Sequence, residues 1–477
     1  MTTNDNIAAL FEQRKHQPQL NTSYPLRPDH WARYRWGGDE QPFDDEQPFD
    51  GKQPFDGKQP FDGKQPFDGK QPFDGEQPFH DEQPFVGKQV LPFDGEQELS
   101  VYVHIPFCKR LCSFCEYTRM VLPDEATQTH YVEVLRNDIR RFREQMGTFR
   151  LAGFDIGGGT PMALSDHAFG LLLDIYDEAV DGLLLAADYE PSIEGTFASV
   201  SHQKLGRAAA SGVRRLSLGL QTTSGDVLCR QNRAVESVAS MARVLDMAAA
   251  CGMSKVNVDL MYGLPGQTQA SIAADISILG TLRPQQVTLY ELRTNMIACK
   301  ALPSKDVLFA QYAQLFEALT AMGYHARFGQ NTFSLSPVDG GVSSYLRSRM
   351  LHGTSYRGFG VSAQSMSRRG VAYNVGKSAS ADSLKKILPG NSYAEQDVYL
   401  LPPVEWVSKY VSIAAYNGAF SLRRIEEAVG KEAMRPYLDV LRFCLAENLM
   451  TVDNANNWVR ITPHGFKHYG AVFSLFT

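Results

Sequence analysis

The sequence predicts an α/β protein: a parallel sheet curled into a partial (β/α)6 barrel, followed by a small, mainly helical C-terminal domain and preceded by a low-complexity N-terminal repeat. Three observations predict it. Six short β-rich runs alternate with helix-length segments between residues 99 and 322, the order of a parallel sheet with crossover helices. Glycines and polar residues gather just after those runs, where the βα loops of a barrel converge at one end. From about Pro402 the pattern turns helical, ending in a hairpin-like piece at residues 449–461.

Taken in order, residues 1–40 are mixed, with an aromatic and basic patch from Tyr24 to Trp36. A hexapeptide repeat of the Gln-Pro-Phe-Asp-Gly-Lys type fills 41–96, with Gln-Pro-Phe starting at Gln41, Gln47, Gln53, Gln59, Gln65, Gln71, Gln77 and Gln83. Each unit joins Pro to a turn signal and offers one Phe per period, which is thin material for a core, so a disordered spacer is expected. The barrel is expected over 97–335. Its strands are read at 99–105, 152–156, 183–189, 215–220, 255–261 and 286–290, and its helices near 124–146, 165–180, 201–211, 236–250, 269–281 and 305–322. A barrel-closing segment on the substrate side is expected over 336–400, and the helical domain over 401–477.

Composition narrows the function classes. The formal charge of −6 gives no basic footprint for nucleic acid. No apolar run is long enough for a membrane span, and the first residues carry no secretory signal pattern, so a cytoplasmic location is expected. Seven cysteines, an odd number in a long chain, argue against a disulfide framework. Cys229, Cys251, Cys299 and Cys444 are scattered singly and read as small core hydrophobes.

The other three form Cys108-x3-Cys112-x2-Cys115, directly after the first strand. Three soft thiolates within eight residues suit one face of an iron–sulfur cluster that leaves its fourth iron without a protein ligand. A zinc knot completed from elsewhere, or three buried thiols, are the alternatives. After the second strand come Gly157-Gly158-Gly159-Thr160-Pro161, which would let a backbone approach a ligand closely or simply make a tight turn. Glu194 follows the third run, Gln221 ends the fourth, Asp259 lies in the fifth, and Glu291 and Arg293 follow the sixth. Each alone reads as a structural polar group. Together at successive strand ends they point to a ligand pocket.

The run Tyr102-Val-His-Ile-Pro-Phe-Cys108, the cysteine spacing, Gly157–Pro161, Arg215-Leu-Ser-Leu-Gly-Leu-Gln221 and Asp259-Leu-Met-Tyr-Gly-Leu-Pro-Gly-Gln-Thr268 resemble the radical SAM superfamily. Within it the chain is similar to the oxygen-independent coproporphyrinogen III oxidase group. The likeness continues through Ser343-Ser-Tyr345, Tyr356–Ala363 and Ile461–Gly465. It implies a [4Fe–4S] cluster on Cys108, Cys112 and Cys115, and S-adenosylmethionine, one molecule or two, as cofactors. The reduced cluster would cleave S-adenosylmethionine to a 5′-deoxyadenosyl radical. Tyr102 would lie against the cofactor, and Gly158, Gly159 and Thr160 would meet its methionine part. Glu194, Gln221, Arg233 and Asp259 would hold its other polar groups, with Glu190 a rival for the place of Glu194. The resemblance assigns no further catalytic residue.

In the oxidase a fourth cysteine usually stands where this chain has Tyr117, and the haem-chaperone branch usually carries a His-Asn-x-x-Tyr-Trp run where this chain reads Arg369–Gly376. Three functions therefore follow from the resemblance. The first is oxidative decarboxylation of a porphyrinogen in haem biosynthesis. The second is class C methyl transfer or cyclopropanation of another metabolite. The third is haem binding as a chaperone. The implied partners are a small-molecule substrate and a reducing electron donor such as flavodoxin or ferredoxin, with no nucleic acid and no membrane span.

Overall fold

A computed structural model describes residues 3–15, 35–36, 93, 95–292, 303–377, 379–394, 396–453 and 457–477. Nearly all of the hexapeptide repeat, Cys299 and Arg293 lie outside the described residues.

Six parallel strands stand side by side in chain order: β1 (Glu98–Ile105), β2 (Arg150–Gly158), β3 (Ser192–Gly195), β4 (Arg215–Gln221), β5 (Lys255–Tyr262) and β6 (Gln286–Glu291). Their near-continuous burial, as from Leu151 to Gly157 in β2, is that of strands covered on both faces. The connecting helices are Glu125–Met146, Asp166–Val180, His202–Ala210, Val238–Ala250 and Gln269–Leu282, with Lys305–Ala321 after β6. Each begins where the sequence supplies a capping side chain: Asp124, Ser165, Ser201, Ser237, Thr268 and Ser304 each accept from a backbone N–H in the first turn. In the first helix Tyr131, Leu135, Ile139 and Phe142 recur at helical spacing and are buried against the sheet.

One expected strand is displaced. Of the run 183–189 only Leu184–Leu185 pairs, at the start of β2, and both leucines are exposed. The third central strand is instead Ser192–Gly195, which contains Glu194 rather than preceding it. Four residues after Pro191 are too few to show a period, whereas the apolar run upstream imitates a buried strand.

The sheet continues at both edges. β7 (Thr332–Ser334) pairs antiparallel with β6. At the other edge β8 (Tyr356–Phe359) runs parallel to β1, and β9 (Gln364–Met366), β10 (Gly370–Asn374) and β11 (Gln396–Leu400) follow antiparallel. Arg35–Trp36 pairs with β11 as the last member. The segment 336–400, expected to close the barrel, thus lengthens the sheet at its β1 edge, and the strand order among the described residues is open.

The C-terminal part carries helices Pro403–Ala414, Leu422–Val429 and Arg435–Ala446 beside a three-stranded antiparallel sheet of Ala419–Ser421, Trp458–Ile461 and Met450–Asp453. It does not have a core to itself. Tyr345, Met350, Tyr356 and Met366 from the added strands pack with Trp406, Tyr410, Val411 and Phe473. The N-terminal helix Thr3–Arg14 joins the same core through Ile7 and Phe11, whose ring stands 5.8 Å from that of Phe443. Cys444 is buried as expected of a core hydrophobe, but Cys229 is exposed at the end of the six-residue helix Gly225–Arg230. Among the described residues no helix is long and apolar enough to cross a membrane.

Candidate functional site

The cysteine loop is pinned at its base. Phe107–Cys108 pairs with Met120–Val121, and the N–H groups of Met120 and Leu122 donate to the carbonyls of Pro106 and Cys108 at 2.8 and 2.9 Å. The intervening residues therefore form a compact loop at the C-terminal end of β1, with Cys115 N–H turned back to Cys112 O at 3.3 Å. Cys108 is buried, while Cys112 and Cys115 are partly exposed.

Glycine is required beside this loop. A Cβ on Gly159 would meet Phe107 O at 2.7 Å and Cys108 Sγ at 2.9 Å. Gly158 has φ +110°, and a Cβ there would meet the His104 ring at 2.5 Å. The turn after β2 is drawn against the loop by Gly159 N–H to Ile105 O at 2.7 Å and Thr160 N–H to Phe107 O at 2.8 Å, with the Thr160 hydroxyl 3.7 Å from Cys108 Sγ. The triple glycine is thus a close approach of the second strand end to the first, which the sequence alone left undecided.

Burial pushes the Cys108 thiol up to about 11, against the lowering effect of the Thr160 hydroxyl, and burial also raises Cys115. One cation offsets this, and a second stands beside the remaining thiol. Arg119 lowers both thiols, and its guanidinium donates to Cys112 O at 2.6 Å. Arg233 Nη1 lies 3.5 Å from Cys112 Sγ, and its Nη2 donates to Gly219 O. Thiols beside guanidiniums, with Cys108 buried, fit a soft, cationic group that displaces their protons on binding. A cluster would take one thiolate at each of three irons, whereas a zinc knot would need a fourth ligand on the same ion.

The polar residues at the later strand ends face the same space. Glu194 accepts from Gly158 N–H at 3.1 Å, and a Cβ on Gly157 would strike its carboxylate. Its carboxyl is pushed up to about 8, first by burial and then by the Asp259 carboxylate. Burial also raises Asp259, which accepts from Asn257 Nδ2 at 2.7 Å and Ser217 Oγ at 3.3 Å. Gln221 has φ +73° at a register shift of β4, an uncommon conformation for a residue with a side chain. Its amide and the Arg233 guanidinium both crowd the space beside Gly219. Tyr102 stacks on Tyr345, with centroids 5.6 Å apart. Glu190, the rival of Glu194, instead forms an ion pair with Lys255 Nζ at 2.8 Å.

Several residues here escaped the sequence reading. Arg119 stands beside the thiols, four positions after Cys115. His104 holds the Gly158 turn, with Nε2–H donating to Thr118 O at 2.9 Å, and burial lowers its pKa. Asp155 accepts from Ser343 Oγ at 2.6 Å, and burial pushes it up to about 7. An aspartate inside an apolar strand was the signal available for it. Arg215, donating to Gln286 Oε1 at 2.7 Å and Ser192 Oγ at 3.0 Å, is the cation that lowers Asp155, Glu194 and Asp259.

Residues 102–278 match the family model of the radical SAM superfamily. Among curated proteins, the heme chaperone HemW of Escherichia coli is 31% identical over 231 residues, covering 47% of this chain and 60% of the relative. The HemW of Haemophilus influenzae is 28% identical over 235 residues, with the same coverage. The anaerobic coproporphyrinogen III oxidase of Cereibacter sphaeroides is 29% identical over 315 residues, 61% of this chain and 67% of that one. The chain thus spans about 60% of the length of the chaperones it matches. The solved coproporphyrinogen III oxidase HemN from Escherichia coli, described as a radical SAM enzyme, superposes with a TM-score of 0.65 at 24% identity. It covers 80% of this chain and 90% of that one, a likeness of fold.

Proposed function

Taking as premise that residues 102–278 form a radical SAM domain, we propose that the chain oxidatively decarboxylates a porphyrinogen of the coproporphyrinogen type. The observation that supports the substrate is the reach of the likeness to the Cereibacter oxidase, 315 residues against 235 and 231 for the two chaperones, although the Escherichia coli oxidase matches over 195.

When bound, a [4Fe–4S] cluster and S-adenosylmethionine supply one-electron chemistry that removes hydrogen from a substrate. The chain's own residues bind and orient. Cys108, Cys112 and Cys115 give the thiolates, and Arg119 and Arg233 offset their charge. Glu194 and Asp259, buried with raised pKa values, gain from a ligand that brings an ammonium or hydroxyl donors to them. The glycines at 157–159 keep the floor free of side chains, so that backbone groups and Thr160 would be open to the methionine part. Arg233 would meet the ligand's carboxylate, Gln221 its remaining polar groups, and Tyr102 would lie against it.

The test incubates reduced, cluster-loaded protein with S-adenosylmethionine and coproporphyrinogen III. CO2 and 5′-deoxyadenosine released in step are expected. Abundant S-adenosylhomocysteine without CO2 would overturn decarboxylation in favour of methyl transfer. A second reading, haem handling without turnover, is favoured by the 31% identity to the Escherichia coli chaperone. It predicts tight haem binding and no cofactor consumption coupled to porphyrinogen.

A further inference from the structure

The short helix Ser344–Arg347 continues into a π-helical turn, Ser348–His352. Such turns are rare and often sit at functional sites. This one is held firmly. Ser343 caps the helix, accepting from Leu346 N–H at 3.1 Å while donating to Asp155. Strand β2 approaches so closely that a Cβ on Gly153 would meet Tyr345 N at 2.2 Å. Ser348 Oγ lies 2.7 Å from Ser100 Oγ of β1.

The turn sets Arg349 among tyrosines. Its guanidinium carbon lies 4.7 Å from the Tyr356 ring centre and 6.0 Å from that of Tyr345. Its hydrogen-bond partners are long ones: Nη1 to the Tyr345 hydroxyl at 3.4 Å and Nη2 to Gln364 Oε1 at 3.5 Å, while Nε is buried with no partner. Gln364 Oε1 is already taken by the Tyr356 hydroxyl. The charges that act most strongly on Arg349 are those of three phenols, Tyr356, Tyr345 and Tyr117. A guanidinium has five donors in a planar fork, and placing it out of bulk water without an anion is costly. Tyr345 also stacks on Tyr102, so Arg349 stands one aromatic layer from the ring assigned to the cofactor.

We propose that Arg349 anchors a carboxylate of the substrate, which enters between Tyr356 and the rim at Tyr117 and completes the guanidinium fork. Arg349 is then a specificity-determining residue selecting organic acids over their neutral analogues. The proposal rests on the porphyrinogen reading above, in which the substrate carries propionates. Tyr117, 59% exposed, also acts electrostatically on Arg349, and in this proposal it would form the outer edge of the site, a binding part in place of a thiol.

The probes are coproporphyrin III, a stable tetracarboxylate, and its tetramethyl ester, titrated by fluorescence against anaerobic, cluster-loaded full-length protein. Wild type is expected to bind the acid more tightly than the ester. Arg349→Met is expected to weaken acid binding by about 10- to 100-fold, the range for a charge-assisted pair, and to shift the ester less than about twofold. Arg349→Lys, which keeps the charge but not the fork, is expected to recover part of the loss. Unchanged acid binding in Arg349→Met, with normal cluster absorption, overturns the anchor while leaving the porphyrinogen reading standing. A wild type that binds neither probe overturns both. Should Arg349→Met fail to fold, Arg349→Lys decides: acid affinity equal to wild type overturns the anchor, and a several-fold loss supports it.

Discussion

The two sides of the β1 strand are built on different principles. On the side of β2 to β6, parallel strands carry polar residues in or just beyond their C-terminal halves, and the glycines, Glu194, Gln221 and Asp259 meet the space beside the thiols that follow β1. On the side of β8 to β11, mostly antiparallel strands share a core with the C-terminal helices and the N-terminal helix, and they present rings and a guanidinium. In the proposed reading the first side would hold the cofactors and the second would meet the substrate. Changes on the first side should abolish the shared chemistry. Changes on the second should alter only what is recognised.

The largest expected effect is on the first side. Cys108→Ala should remove cluster iron and all 5′-deoxyadenosine formation, measured by iron analysis and chromatography, and a variant that keeps both would break the comparison. Gly159→Ala comes next, because the added Cβ meets two backbone oxygens and Cys108 Sγ below 3.0 Å. It should cost about 1–3 kcal/mol in denaturant unfolding, as overpacking does, and reduce cluster retention. A smaller effect separates the two candidate glutamates. Glu194→Gln should weaken S-adenosylmethionine binding by about tenfold or more, whereas Glu190→Gln, which breaks only the pair with Lys255, should change it little. Equal losses in isothermal titration would remove the distinction.

The smallest effect is on pH dependence. Burial, and then the Asp259 carboxylate, push the Glu194 carboxyl up to about 8 in the folded chain from an ordinary value of 4.5. Between those values the folded protein holds a proton that the unfolded chain has released, so this group makes stability fall as pH rises across the window. Glu194→Gln should flatten that slope in thermal melts of the cofactor-free protein. In wild type, affinity for a ligand ammonium should rise over the same window, as the carboxylate becomes ionised.

Much of the first side was legible because its signals are local. A strand followed at once by Cys-x3-Cys-x2-Cys or by Gly-Gly-Gly-Thr-Pro needs no knowledge of distant residues, and capping residues mark the helix starts. The failures have physical causes. Ser192–Gly195 is too short to show alternation, and its paired neighbours, not its own propensity, make it a strand. Arg349 gave no sign because its environment comes from Tyr345, Tyr356 and Gln364, from Tyr117 far away in the chain, and from a π-turn that no periodicity announces. The docking of Thr3–Arg14 onto the C-terminal helices joins opposite ends of the chain, through Phe11 and Phe443 among others.

The account stands on one claim, that the later strand ends form the pocket for the ligand of the cluster's open iron. Electron paramagnetic resonance of the reduced cluster, recorded with and without S-adenosylmethionine, tests it most directly. The account predicts that the cofactor changes the wild-type spectrum, and that the change is lost or strongly weakened in Glu194→Gln and Asp259→Asn while their iron content stays normal. A wild-type spectrum that does not respond, or variants that respond as wild type does, would contradict it.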